Sequence, residues 1–162
     1  MTVWNEVDLQ IGNYVRGKAL EILIVWIATF VTFTAMGLQF TMLISMVVGF
    51  SVLIPYIGAA VVTIPVAIVA FIQFGLTMEF AWVMIAYAII QMLDGNVLVP
   101  ILFSEVVSLH PVAIIVAILI FGGIWGFWGV FFAIPLATLV NAVLRAWPRR
   151  PETAPEDESA GA

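Results

Sequence analysis

Polar residues are frequent up to Lys18 and again after Leu144, and nearly absent between them. Within residues 3–18, Trp4, Val7, Ile11 and Tyr14 recur at helical spacing, while Asn5, Glu6, Asp8, Gln10 and Asn13 fill the other side. That pattern predicts an amphipathic segment over residues 1–18. It would lie in the headgroup region with Trp4 and Tyr14 at the interface, or pack as a short helix on a neighbouring span. Ala19 to Phe40 is the first clean span, close to the ~20 residues that a hydrocarbon core of about 30 Å requires. Met42 to Phe74 is too long for one ordinary span and is interrupted by Pro55-Tyr56-Ile57-Gly58. Proline lacks the backbone donor and glycine tolerates unusual dihedrals, so two helices, 42–54 and 56–74, are expected there. The first is short enough to be re-entrant. Ala81 to Phe103 is interrupted by Asp94-Gly95-Asn96 and then Pro100. Pro111 opens an apolar stretch to Trp147 that only Gly122-Gly123, Gly126 and Gly129 can turn, giving two tight spans or a span plus a half-helix. The expected fold is all-α, a polytopic transmembrane helix bundle with broken or re-entrant helices over residues 19–147.

Composition sharpens this. Hydrophobic residues make up 64% of the 162 and charged ones 9%, which excludes a soluble domain, because its outside must face water. Between Ala19 and Leu144 stand only four charged residues, Glu21, Glu79, Asp94 and Glu105, and no lysine or arginine. An ionisable group at membrane depth is costly and is by default a functional hypothesis. The bases cluster at Arg16, Lys18, Arg145, Arg149 and Arg150, so there is no basic field for nucleic acid. Their placement at both ends of the apolar region predicts cytoplasmic termini and an even number of crossings. Five good apolar segments and the short 42–54 piece leave that number open. Residues 1–18 are polar and mixed rather than a short basic start before an apolar run, so a cleaved signal peptide is not expected. The tail 148–162, with three prolines and four acids, is expected to be disordered and acidic. The chain has no cysteine, which excludes disulfides and thiolate metal sites.

Tyr87, Gln91 and Asp94 follow at spacings of four and three, on one helical face. Asp94 precedes Gly95-Asn96, where the helix is expected to unwind. Freed carbonyls, one carboxylate and the amides of Gln91 and Asn96 would then form an oxygen cage for a small cation or a hydrogen-bonding solute. The plainer alternative is that Asp94 caps a wet interfacial loop. The break at Pro55, Tyr56 and Gly58 is the second discontinuous element, framing a cavity with the first, or an ordinary kink. His110, with a reference pKa of about 6.5, and Glu105 are candidates for a proton relay; a helix cap at Pro111 is the alternative role for the histidine. Gly122, Gly126, Gly129 and Ala133 form a small-residue stripe for close helix packing, within or between protomers, and Pro135 adds a kink. One histidine, no cysteine, no phosphate-binding glycine-lysine motif and no acids at metal-ligand spacing leave no catalytic constellation, so an enzyme, a metal and a cofactor are not expected.

Pro55-Tyr56-Ile57-Gly58, the run Ile90 to Asn96 leading to Pro100, Leu109-His110-Pro111, Gly122-Gly123 through Gly129, and Ala133-Ile134-Pro135-Leu136-Ala137 together resemble the autoinducer-2 exporter family, also called PerM-type permeases. The resemblance covers residues from about 10 to 147. It implies a multi-pass protein of the bacterial inner membrane, often a homo-oligomer, that moves autoinducer-2 or exchanges sodium or lithium for protons. Family chains are roughly twice as long, so the likeness is to their C-terminal half. The family usually has glutamate where Asp94 stands, a departure that keeps the carboxylate. The expected partners are the lipid bilayer, a small molecule or monovalent cation, and further copies of the chain. A non-transporting membrane assembly module, or an inactive truncated permease, is the rival reading.

Overall fold

The structure, a computed structural model, describes residues 2–103 and 110–146. In chain order these form α1 (Thr2–Ala35), α2 (Thr41–Ser51), α3 (Ile57–Phe74) and α4 (Met78–Leu93), then a π-helical turn (Asp94–Leu98) leading into α5 (Val99–Leu102). Beyond the gap come α6 (Pro111–Trp125), α7 (Phe127–Phe131) and α8 (Ala133–Ala146). No strand occurs among the described residues, and the all-α expectation holds.

The exterior differs from that of a water-soluble protein. Leu20, Leu23, Ile27, Val31, Ile72 and Leu76 are exposed, while Lys18, Glu21, Thr29, Ser45, Ser51 and Asp94 are buried within a largely apolar core. An apolar exterior with the ionisable groups turned inward is the arrangement that lipid favours. Among the described residues, three stretches are long and apolar enough to cross a membrane: Asp8–Ala35, Ile57–Phe74 and Met78–Leu102. The 11 residues of α2 reach only about 16 Å, roughly half of a hydrocarbon core. The 15 of α6 and 14 of α8 also fall short of it.

Close backbone approach fixes the pairings. Without a hydrophobic force between helices in lipid, small residues set how near two helices can come. A Cβ on Gly49 would stand 2.8 Å from the Trp26 Cβ, so α2 lies directly on α1 with Ser45 buried one turn away. Gly37, at φ +70°, turns the chain between them. A Cβ on Gly58 would collide with the Ser51 carbonyl oxygen, so only glycine lets α3 start against the end of α2. The buried face of α3 is then Gly58, Val62, Val66 and Ala70, at a spacing of four throughout. The Gln73 side chain clips the far end, donating from Nε2 to the Gly37 carbonyl at 2.7 Å and accepting from the Gln39 amide at 2.6 Å.

Several expectations are corrected. Helix α1 runs unbroken through residues 18 and 19, so the amphipathic segment is the first half of one 34-residue helix. Its first residues' side chains, and the tail from residue 147, lie outside what the structure describes. The chain does not unwind at Asp94-Gly95-Asn96; it widens into a π turn in which the Val99 amide still bonds to the Asp94 carbonyl. No cage of freed carbonyls forms there. Pro135 makes no kink either, because it sits in the first turn of α8, where its missing N–H has no intrahelical acceptor to lose. Gly122, Gly126 and Gly129 are not one stripe on one helix. The chain reverses at Gly126 (φ +61°), and Gly129 then packs on the Phe121 carbonyl while Gly122 meets Val130. The small residues seal a hairpin within the chain.

Candidate functional site

Helix α1 contributes an unexpected polar stripe. Tyr14, Lys18, Glu21 and Val25, at spacings of four, three and four, share the buried face of that helix. Lys18 is 2% exposed and Glu21 1%. Their Nζ and Oε2 stand 2.8 Å apart, one helical turn along the same helix. Lys18 Nζ also donates to the Val52 carbonyl at 2.8 Å and lies 5.3 Å from the centre of the Phe103 ring. That carbonyl is free because α2 has just ended and Pro55, without an N–H, stands in the turn that follows. The lysine thus ties α1 to the α2–α3 connection. Tyr14 ties the same helix to the C-terminal hairpin, its hydroxyl donating to the Phe131 carbonyl at 2.8 Å.

The π turn brings in the second carboxylate. Asp94 is 9% exposed, and its Oδ1 is buried with no hydrogen-bond partner among the described residues. One turn back, Gln91 Nε2 donates to the Tyr87 hydroxyl at 2.9 Å, which in turn donates to the Ala59 carbonyl at 2.8 Å. Tyr87 therefore holds the glutamine in place from behind.

These groups surround a cavity of about 290 Å³. Its polar lining is Lys18, Glu21, Gln91 and Asp94, with Tyr56 beside them, and its apolar walls include Val52, Pro55, Val99, Phe103, Ile114 and Ile134. Val52 belongs to the core shared by α1–α4, whereas Phe103, Ile114 and Ile134 belong to the core built around α6 and α8, so the cavity sits where the two meet. Tyr56 adopts φ +61°, ψ −50°, a conformation costly for an aromatic residue, at the start of α3 on the cavity wall.

The structure brings together Gln91, Asp94, Pro55 and Tyr56 from the sequence-derived set, with Tyr87 behind them. It does not bring in the others. Asn96 is exposed, and its Nδ2 donates back to the Met92 carbonyl at 2.8 Å. Gly58 serves the α2–α3 contact instead. His110 is exposed and caps α6, its Nδ1 accepting from the Val112 amide at 3.3 Å. Glu105 lies outside the described residues. Lys18 was missed because it reads as a flanking charge, and Glu21, singled out by its charge in an apolar field, was given no place in the site; the 14-18-21-25 spacing on one face of α1 is the signal that joins them. No group of three or more His, Cys, Asp or Glu placed to hold a metal ion occurs among the described residues.

Long apolar helices with exposed apolar faces around a partly open cavity lined by ionisable groups define a multi-pass membrane protein with a polar interior site. The chain belongs to the AI-2E family of transporters: residues 1–149 match the family described as "AI-2E family transporter". It is 62% identical over 146 residues to the "Putative permease PerM" of Escherichia coli strain K12, covering 90% of this chain and 41% of that protein. It is 27% identical over 142 residues to the "Putative transport protein YrrI" of Bacillus subtilis strain 168, covering 86% of this chain and 39% of the relative. The chain thus spans about two fifths of the length of these curated relatives. No solved structure matches it significantly.

Proposed function

We propose that this chain carries the solute site of an AI-2E family permease, at the cavity bounded by Lys18, Glu21, Gln91 and Asp94, and that a small solute passes there across a bacterial inner membrane. The observation that carries this reading is the cavity itself: two carboxylates, an ammonium and an amide brought together between helices whose outer faces are apolar. Buried ionisable groups between membrane helices mark solute and ion pathways. With no nucleotide motif in the sequence, the mechanism is alternating access or gated diffusion, in a homo-oligomer with both termini cytoplasmic. A second reading, exchange of Na⁺ or Li⁺ for H⁺, is favoured by one specific feature. Asp94 Oδ1 is buried with no hydrogen-bond partner among the described residues, and such a carboxylate can trade a proton for a cation.

The test is flux in proteoliposomes after a pH or Na⁺ jump, for this chain and Asp94→Asn side by side. Flux that disappears in the variant supports an ion-coupled pathway through Asp94. Flux retained in the variant removes Asp94 from the pathway. No flux from either, in well-inserted protein, sinks the reading for this portion of the family chain.

A further inference from the structure

Lys18 shows how this cavity treats a primary ammonium. Its Nζ is held by one carboxylate oxygen, one backbone carbonyl and the face of one aromatic ring, the three kinds of partner that recognise an amine in an apolar setting. Glu21 is thereby ion-paired, although its Oε2, like Asp94 Oδ1, makes no hydrogen bond of good geometry, whereas Asp94 has no ion-pair partner among the described residues. The described lining holds one basic and two acidic side chains, an excess of one acid. Gln91 adds an acceptor: its Nε2 spends one of two N–H groups on Tyr87, and Oε1 is left to receive a hydrogen bond. An acceptor pair in a lining with one acid in excess, the Asp94 carboxylate itself buried, calls for a ligand that donates and is cationic.

Size and wall chemistry separate an organic cation from a bare ion. The cavity is several times the ~30 Å³ share of a water molecule, and most of its wall is apolar. A hard cation needs several oxygens converging at fixed distance. Here the lining offers few side-chain oxygens, and Val52, Ile54, Val99, Ile114 and Ile134 make up much of the rest of it. A bare ion would leave those walls unused, whereas an alkyl body would cover them.

We infer that the cavity binds a small organic monocation, a primary ammonium carrying a short apolar chain, with its head on Asp94 and Gln91 beside the tethered ammonium of Lys18. This rests on the proposed solute site and names the class of solute it takes.

The test is equilibrium dialysis of radiolabelled n-butylammonium against the purified full chain in detergent, with n-butanol as the neutral isostere and equal sodium chloride as the ionic control. The expected result is saturable uptake of one n-butylammonium per chain, undiminished by sodium chloride, with n-butanol taken up only in proportion to detergent. Asp94→Asn should weaken binding about ten- to hundredfold, the ratio expected for loss of one charge-assisted hydrogen bond, and Asp94→Glu should restore most of it. Equal, non-saturable uptake of the amine and the alcohol by the unaltered chain overturns the inference without any variant. So does binding unchanged in Asp94→Asn, or binding abolished by sodium at the same concentration. Ion flux in proteoliposomes without amine binding sinks this inference alone. Amine binding without any flux supports it and sinks the transport reading.

Discussion

Lys18 Nζ and Glu21 Oε2 form an ion pair 2.8 Å long that is almost wholly removed from solvent, one turn apart on the buried face of α1. The two partners are not equivalent. Lys18 keeps the Val52 carbonyl and the Phe103 face if the glutamate is neutralised. Glu21 has no second cation among the cavity-lining residues if the lysine is removed. Lys18→Met should therefore destabilise the chain by about 3–5 kcal/mol, the cost of a buried charge left unpaired. Glu21→Gln should cost less, about 1–3 kcal/mol. The double variant should lose less than the sum of the two. Unfolding of the four proteins in detergent closes the cycle, and additive losses would show that the pair is not coupled.

The Gly129 and Gly123 pair separates close packing from helix propensity. A Cβ on Gly129 would overlap the Phe121 carbonyl, a backbone atom that cannot step aside, whereas one on Gly123 meets nothing within 4 Å. Gly129→Ala should cost at least about 3 kcal/mol, by forcing the α6–α7 reversal open. Gly123→Ala, inside α6, should gain about 0.5–1 kcal/mol from reduced backbone freedom in the unfolded chain. Melting temperatures shifted in the same direction would contradict the hairpin.

Much of this architecture is legible in the sequence, and the failures have physical causes. Hydropathy locates the apolar segments because lipid demands long continuous runs, and Pro55 marks the α2–α3 break because a missing donor is a local fact. Gln91 and Asp94 emerge because polar residues at helical spacing are conspicuous in an apolar field. What sequence cannot show is where a backbone returns to. The 122-126-129 spacing is the same whether the glycines line one helix or face each other across a turn, and only the reversal at Gly126 decides. Likewise Asp94-Gly95-Asn96 reads as a break, yet one extra residue per turn absorbs it as a π turn. Lys18 hides for a different reason. A basic residue beside a span reads as an interfacial anchor until the Val52 carbonyl, 34 residues further on, is found opposite it.

His110 tests a proton relay against a cap. Its Nδ1 accepts from the Val112 amide at 3.3 Å, and the residue is neither buried nor part of the cavity lining. His110→Ala should cost about 0.5–1 kcal/mol, the lower part of the range for losing a helix cap, and His110→Asn should recover most of it. The pH profile of flux should be the same in all three proteins. A profile displaced in His110→Asn, at unchanged stability, would return the histidine to the pathway.

Thr29 lies in the middle of α1, fully buried, with its Oγ1 unpartnered among the described residues. Threonines in helices ordinarily return the hydroxyl to the carbonyl four residues back, as Thr32 does to Ala28 at 2.7 Å. Thr29 does not, so its hydroxyl is desolvated without compensation. Valine has nearly the same shape and the same β-branch, and lacks only the polar atom. Thr29→Val should accordingly be neutral or stabilising by up to about 2 kcal/mol, from relief of the unpaired group. Thr29→Ala removes the same hydroxyl but also a methyl group from a filled site, and should melt lower than Thr29→Val by about 1–2 kcal/mol. The comparison of the two substitutions isolates the hydroxyl from the packing. If Thr29→Val proves as damaging as Thr29→Ala, the hydroxyl is bonded in the folded protein, and the buried face of α1 carries a polar contact beyond Lys18 and Glu21.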